Sequence, residues 1–393
     1  MQSTHLREHN LSTILRAVVS SPSPLSRAAL AKQTRLTKPT VSKLVEELIG
    51  AHLIQEDAPV RSGAGRPMVP LLPAMDTLAA IGIEVAADHV VCLAVDLAGR
   101  TLSRRTEYVS VTSATTEDAI SCCARLMDQA RGEVGHLPIA GVVAAIPGRI
   151  APDGDHVLSA PNLGWDRVPF VSLLREHPAL ADLSVRAQND NRLSVLTELD
   201  QRPGESFIYI RGYTGVGGAV VIDGELLDGV HGWAGEFGHT VVQPGGDRCL
   251  CGRRGCLEAY ISYHSLRERA GLGDDVLIDD LIDALARSGD RAEVIGTIGR
   301  SLGLAVANAM NVLDVSTVVL SGYLAPIAEE ISPVVRETVD RHALAAEAGP
   351  ITLERSDDLE DPALRGAARA ALQPVLSAPG RWIERAARSH MDA

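Results

Sequence analysis

The sequence predicts an α+β head of short helices and a small hairpin, followed by a longer, two-lobed α/β body. Three observations carry this. The chain has 393 residues, more than one ordinary domain uses. Residues 1–72 place apolar side chains at helical spacing and end in two short apolar runs around a Gly/Arg loop. From residue 78 to residue 376, strand-like and helix-like segments alternate, as in an α/β fold. Residues 73–77 read as a linker. Residues 377–393 form a C-terminal tail, in which Arg381-Trp-Ile-Glu-Arg suits a short helix.

In the head, Leu6, Ile14, Leu15, Val18 and Val19 share one helical face between His5 and Ser20, and Pro22 and Pro24 end that run. Ser26 is placed to cap a helix from Arg27 to Gln33. After a tight turn, Thr37 is placed to cap another, with Pro39 tolerated in its first turn. There Val41, Leu44, Val45, Leu48 and Ile49 point inward, leaving Lys38, Thr40, Ser42 and Lys43 outward. Strands at Leu53-Ile-Gln and Met68-Val-Pro-Leu would flank Arg61-Ser-Gly-Ala-Gly-Arg-Pro67, a flexible basic loop. Together these make a winged helix-turn-helix. In such a unit the start of the second helix meets base edges and phosphates, and Arg66 is suited to a narrow minor groove.

Charge agrees with that division. The net charge is −13, yet residues 1–70 hold nine Lys/Arg against five Asp/Glu, and all three lysines, Lys32, Lys38 and Lys43, fall there. A basic head on an acidic body points to double-stranded DNA as the head's partner. No apolar run reaches the ~18 residues of a membrane span, and the N-terminus has no apolar signal core. A soluble cytoplasmic protein is expected. Of six cysteines, Cys92, Cys122 and Cys123 are scattered in apolar surroundings, whereas Cys249, Cys251 and Cys256 cluster and read as a metal site before they read as disulfides.

The body carries four more specific segments. They are Ile146-Pro-Gly148, Pro161-Asn-Leu-Gly-Trp165, Gln188-Asn-Asp-Asn191, and the run Gly232-Trp-Ala-Gly-Glu-Phe-Gly-His239 continuing to Cys249-Leu-Cys-Gly-Arg-Arg-Gly-Cys-Leu-Glu258. In this order they resemble the ROK family of repressors, open reading frames and sugar kinases, over roughly residues 78–376. The resemblance implies an actin-like, two-lobed ATPase fold for the body. With the head, it implies a repressor of the xylose, glucose or N-acetylglucosamine type.

The same resemblance implies two sites. One zinc ion would be held by His239, Cys249, Cys251 and Cys256, a closed tetrahedral set and therefore structural. A sugar would be held by Asn162, Asn189, Asp190, Glu236, His239 and Glu258, whose amides and carboxylates match hydroxyls. Asp190 stands where ROK kinases keep the general base, and His239 would serve zinc with one ring nitrogen and sugar with the other. Asn191-Arg192 departs from the small residue and Asn that often follow that Asp.

The phosphate-binding turn is degraded. Where ROK kinases have Asp-x-Gly-Gly-Thr, this chain has Glu84-Val-Ala-Ala-Asp88, which adds Cβ atoms and a negative charge where phosphate would approach. Tyr213 and Tyr323 likewise replace small residues in two further glycine-rich turns. No use of ATP is expected. A DNA-binding regulator responding to a sugar or sugar derivative is therefore favoured over a ROK sugar kinase with an added DNA-binding head. A homodimer or dimer of dimers is expected from paired half-sites.

Overall fold

The computed structural model describes residues 2–60, 68–135, 137–273, 276, 278, 280–287, 291–357 and 360–389. The head contains α1 (Gln2–Val19), α2 (Arg27–Thr34), α3 (Lys38–Gly50), β1 (Ile54–Glu56) and β2 (Leu71–Pro73). Ser26 caps α2 by accepting from the Ala29 amide, and Thr37 caps α3 by accepting from the Thr40 amide. Arg35, in the left-handed region at φ 58°, makes the turn between them. Leu11, Ile14 and Leu15 of α1 bury against Leu30, Val41, Val45 and Leu48.

The hairpin of the head differs in register from the expected wing. β1 pairs antiparallel with β2 through Ile54–Pro73 and Glu56–Leu71, and Met68 makes only an isolated bridge to Val60. Leu71 is the buried side chain and its amide also bonds to Leu25 O, so the core selects the later segment. The pairing runs into the expected linker: Pro73 closes β2, and the amide of buried Ala74 donates to Leu53 O. Arg66 and the rest of residues 61–67 lie outside the described residues.

The body holds two five-stranded sheets of like topology. The first comprises β3 (Ala79–Val85), β4 (His89–Val95), β5 (Thr101–Tyr108), β6 (Ile139–Ile146) and, beyond a small three-stranded sheet, β10 (Val185–Asn189). β3, β4 and β5 form an antiparallel meander, and β6 and β10 add in parallel. Helix α4 (Thr116–Val134) crosses over between β5 and β6. The three-stranded sheet is β7 (Arg149–Ile150), β8 (Val157–Ala160) and β9 (Trp165–Val168), followed by α5 (Phe170–Arg175). Helix α6 (Asp190–Gln201) leads to the second sheet.

That sheet repeats the plan. β11 (Phe207–Gly212), β12 (Val216–Ile222) and β13 (Glu225–Leu226) form the meander. After α7 (Glu258–Ile261), α8 (Tyr263–Arg269), α9 (Leu281–Arg287) and α10 (Arg291–Leu313), β14 (Thr317–Gly322) adds in parallel. After α11 (Ala328–His342), β15 (Thr352–Arg355) does the same. Each sheet is thus sealed by crossover helices, α4 on the first and α10 and α11 on the second, which explains the apolar runs of β3, β6 and β11, interrupted only by Glu84 and Arg211.

The chain then returns to the first lobe. Alanine-rich α12 (Pro362–Ala371) lies on the first sheet, α13 (Gln373–Ser377) follows, and the tail forms α14 (Pro379–Ser389). Trp382 and Ile383 of α14 pack on the same apolar cluster as Leu11, Ile14, Ala367 and Ala371. Ser12 Oγ donates to Leu376 O at 2.7 Å, Arg16 donates to the Gln373 side chain at 2.9 Å, and the Gly380 amide donates to Glu8 at 2.9 Å. Head, tail and first lobe therefore share one core.

Candidate sugar and metal site

Between the two sheets lies a cavity of about 360 Å³. Asn162 reaches it from the turn after β8, Asn189 and Asp190 from the junction of β10 and α6, Glu236 and His239 from the loop after β13, and Glu258 from the start of α7. All six residues expected to bind sugar line this one space.

Their local roles differ. Asn189 is the cap of α6: its Oδ1 accepts from the Asn191 and Arg192 amides at 3.0 and 3.1 Å, and its Nδ2 donates to Gly148 O at 3.0 Å. One amide hydrogen is left for a ligand. Asp190, with Asn189 taking the capping role, is buried and accepts from Asn191 Nδ2 at 2.9 Å. Glu258 is buried, and its Oε2 accepts from the Val216 amide at 3.0 Å. A Cβ at Gly215 would collide with that carboxylate and come within 3.0 Å of Asn162 Nδ2, so this position needs glycine for close approach.

The sequence reading missed Arg211. It lies at the end of β11, 4% exposed, with Nη1 3.4 Å from Asp190 Oδ2 and Nη2 3.9 Å from Glu84 Oε1. Its guanidinium stands 4.5 Å from the centre of the Tyr213 ring. Burial pushes the Asp190 and Glu84 carboxyls up, against the opposing pull of Arg211. Burial draws Arg211 down, but the two carboxylates outweigh it and hold the guanidinium above its ordinary value. The available signal was a single cation in the otherwise apolar Phe207-Ile-Tyr-Ile-Arg-Gly212 strand.

Ala86 and Ala87 form the β3–β4 turn, and Asp88 pairs with His89 Nδ1 at 2.7 Å. Tyr323 is buried in the second lobe, where its hydroxyl donates to Ile261 O. Its ring lies so near Gly212 that a Cβ there would be 2.5 Å from it.

Behind the cavity, His239, Cys249, Cys251 and Cys256 bring one ligand atom each within 4.8 Å of one another. Cys249 Sγ is 3.8 Å from His239 Nδ1, and the Cys251 and Cys256 sulfurs are 3.8 Å apart. A tetrahedral shell with zinc–sulfur bonds near 2.3 Å has edges of about 3.8 Å. The donor set and spacing therefore fit such an ion. The other imidazole nitrogen, Nε2, lies 3.9 Å from Glu236 Oε2 on the cavity side.

In the head, Lys38, Ser42 and Lys43 are exposed, whereas Thr40 is half-buried and its hydroxyl bonds to that of Thr37 at 2.8 Å. The acidic residues of α3 are occupied: Glu47 pairs with Arg7 at 2.5 Å and Glu46 with Arg27 at 2.6 Å.

The model of the ROK family matches residues 80–373. The chain belongs to the ROK family. It is 26% identical over 400 residues to the xylose repressor of Caldicellulosiruptor bescii, covering 96% of this chain and 98% of that protein. It is also 26% identical to the DNA-binding transcriptional dual regulator NagC of Escherichia coli K12, over 85% of each chain. Among solved structures, a ROK family transcriptional regulator homologous to the E. coli MLC protein superposes with a TM-score of 0.76 at 22% identity, covering 97% of this chain and all of that one. A ROK family glucokinase from Streptomyces griseus, in complex with glucose and AMPPNP, gives a TM-score of 0.63 at 25% identity. It covers 75% of this chain and 99% of the kinase. The body thus has the actin-like fold of these ROK proteins.

Proposed function

We propose that this ROK protein is a sugar-responsive transcription repressor. Its head is a winged helix-turn-helix that reads operator DNA, and its kinase-like body binds a sugar or sugar derivative. The observation that carries this is coverage: the glucokinase accounts for 75% of the chain, whereas the repressor from C. bescii accounts for 96%. The family model begins at residue 80, and ahead of it lies a basic head with exposed Lys38, Ser42 and Lys43 at a helix start.

Asn162, Asn189, Asp190, Glu236, His239 and Glu258 hold the sugar hydroxyls in this reading, and one structural zinc is held by His239, Cys249, Cys251 and Cys256. The ion fastens the segment carrying Glu236 to the start of α7, where Glu258 sits. Lys38, Thr40, Ser42 and Lys43 meet DNA in the major groove, with Thr40 giving up its bond to Thr37, and Arg66 is assigned to the wing. Two half-sites ~34–36 Å apart then call for a homodimer or a dimer of dimers. No helix among the described residues is long and apolar enough to cross a membrane.

The test uses DNA selected from genomic fragments by the full-length protein. Lys43→Ala should reduce the preference for that DNA over random duplex by ~1–3 kcal/mol, the worth of a direct base contact. Equal weakening on both DNAs would make Lys43 a phosphate contact. No selective enrichment by the parent protein would defeat the regulator reading. Point substitutions suit this better than deleting the head, because head, tail and first lobe share a core.

The chain is not expected to phosphorylate sugars. Ala86 and Ala87 crowd the phosphate turn, and Asp190 faces the buried cation Arg211 rather than standing free as a base. Incubation with ATP and the sugars of the panel below should yield no sugar phosphate. A turnover of ~1 s⁻¹, within the ordinary enzyme range, would make it a kinase.

A further inference from the structure

The sugar cavity continues past its six residues. A second cavity of about 350 Å³ adjoins it. The two share Gly148, Asn189, Arg192, Gly232, Trp233 and Glu236 as a common wall. Neither the glycine loop after β11 nor any of the four clustered Cys and His residues lines the second cavity. It therefore leads away from the end where Asp190 meets Arg211.

Trp233 stands at the junction and is fixed there. Its indole N–H crosses the cleft to donate to Ile150 O at 2.9 Å, tying the loop after β13 to the first lobe. Arg149 lies 5.5 Å and His231 5.2 Å from the ring. The loop is tied a second time by Arg192, which donates to Leu227 O at 3.1 Å and pairs with Asp228. The result is a rigid aromatic divider between two polar chambers. Sugars suit such a wall, because a pyranose has apolar C–H patches as well as hydroxyls.

The chemistry of the second chamber selects among ligands. Asp153, Asp228 and Glu236 supply carboxylates and Gln188 an amide, while of the two arginines in the wall Arg186 is turned away to Ala370 O and Arg192 is paired with Asp228. The chamber therefore has no excess of positive charge, so a phosphate gains little there, whereas a neutral polyol finds both donors and acceptors. Each chamber lies near the small end of the ~300–1,000 Å³ range of ligand pockets. One sugar ring in the first leaves the second to be filled.

We infer that the effector is a neutral disaccharide or longer glycoside, with one ring among Asn162, Asp190, Glu236, His239 and Glu258 and the next in the chamber beyond Trp233. This rests on the sugar-binding reading above. The experiment is calorimetric titration of the full chain with glucose, xylose and N-acetylglucosamine, and with cellobiose, maltose, xylobiose and N,N′-diacetylchitobiose. At least one dimer should bind about tenfold or more tighter than its monomer, a difference of ~1.4 kcal/mol. Ala151 lines only the second chamber. Ala151→Phe should bring that dimer down to its monomer's affinity while leaving the monomer unchanged. His231→Ala, at an exposed position lining the same chamber, should lower dimer affinity alone and serves if the phenylalanine variant fails to fold. If monomers bind and every dimer binds more weakly, or if both variants weaken monomer and dimer equally, the second subsite is refuted while the sugar reading stands. If no monomer or dimer binds, both are refuted.

Discussion

Cys251→Ser is expected to leave a folded protein that has lost its metal and its response to sugar. The segment from Thr240 to Leu257 contains no helix or strand of the two sheets, only isolated bridges such as Val241–Cys256 and Arg248–Arg254. A few backbone bonds, such as Gly255 N–H to Asp247 O, and the Arg269–Asp247 pair hold it on its own path, and the four clustered side chains draw its two ends together. Structural zinc in small peptides contributes about 10–16 kcal/mol of apparent binding free energy, all of it lost to the fold when the site opens. Here the loss falls locally. Glu258, two residues past Cys256, accepts from the Val216 amide beside the glycine loop, and His239 carries Glu236 at its cavity side. Elemental analysis should fall from one zinc per chain to none, and sugar should no longer raise the unfolding temperature, a rise worth ~2.7 kcal/mol at 100 times the dissociation constant. DNA binding by the unliganded variant should persist, because the head's core of Leu11, Ile14, Val41 and Leu48 is made without that segment. A parent protein that folds and binds sugar with no stoichiometric metal would sink the assignment.

The alternation of strands and helices in the body was legible because buried strands such as β6, and β4 after His89, are continuously apolar, whereas edge strand β5 carries Arg104, Arg105 and Glu107. The clustering of Asn162, Asp190, Glu236, His239 and Glu258 was legible only through motif order, since residues nearly 100 positions apart carry no local signal of contact. Three things were hidden. The β7–β9 sheet is made of strands of two to four residues, too short for periodicity to register. α12 was not singled out, because its buried stripe is mostly alanine, although Arg365 and Arg369 one turn apart mark its other side. The wing strand was placed three residues early, because Met68 is as apolar as Leu71 and only packing distinguishes them. The tail was expected as a short helix. Its destination was not legible, since Trp382 and Ile383 are half-buried and pack on the core only when α1 lies beside them.

Arg211→Ala should be among the most damaging single substitutions in the body, and its cost should depend on pH. The guanidinium extends from the second sheet to Glu84 of β3 and Asp190 of α6, both belonging to the first lobe, and all three groups are buried. A buried ion pair contributes little over an apolar replacement, but removing one partner strands the other, at about 3–5 kcal/mol. Here two carboxylates would be stranded. Burial already pushes both above their ordinary range with Arg211 present, and its removal would push them further. A carboxyl whose folded value lies above its unfolded value of about 4 binds more protons in the native state. Stability then falls as pH rises through the interval between the two values, and returns as pH falls. The loss of unfolding temperature in Arg211→Ala should therefore be larger at pH 8 than at pH 5. Adding Glu84→Gln, which removes one stranded charge and keeps its shape, should recover part of the loss at pH 8 and little at pH 5. Equal destabilisation at the two pH values, with no recovery from Glu84→Gln, would mean that Arg211 acts through packing against Tyr213 alone and not as the cation joining the two lobes.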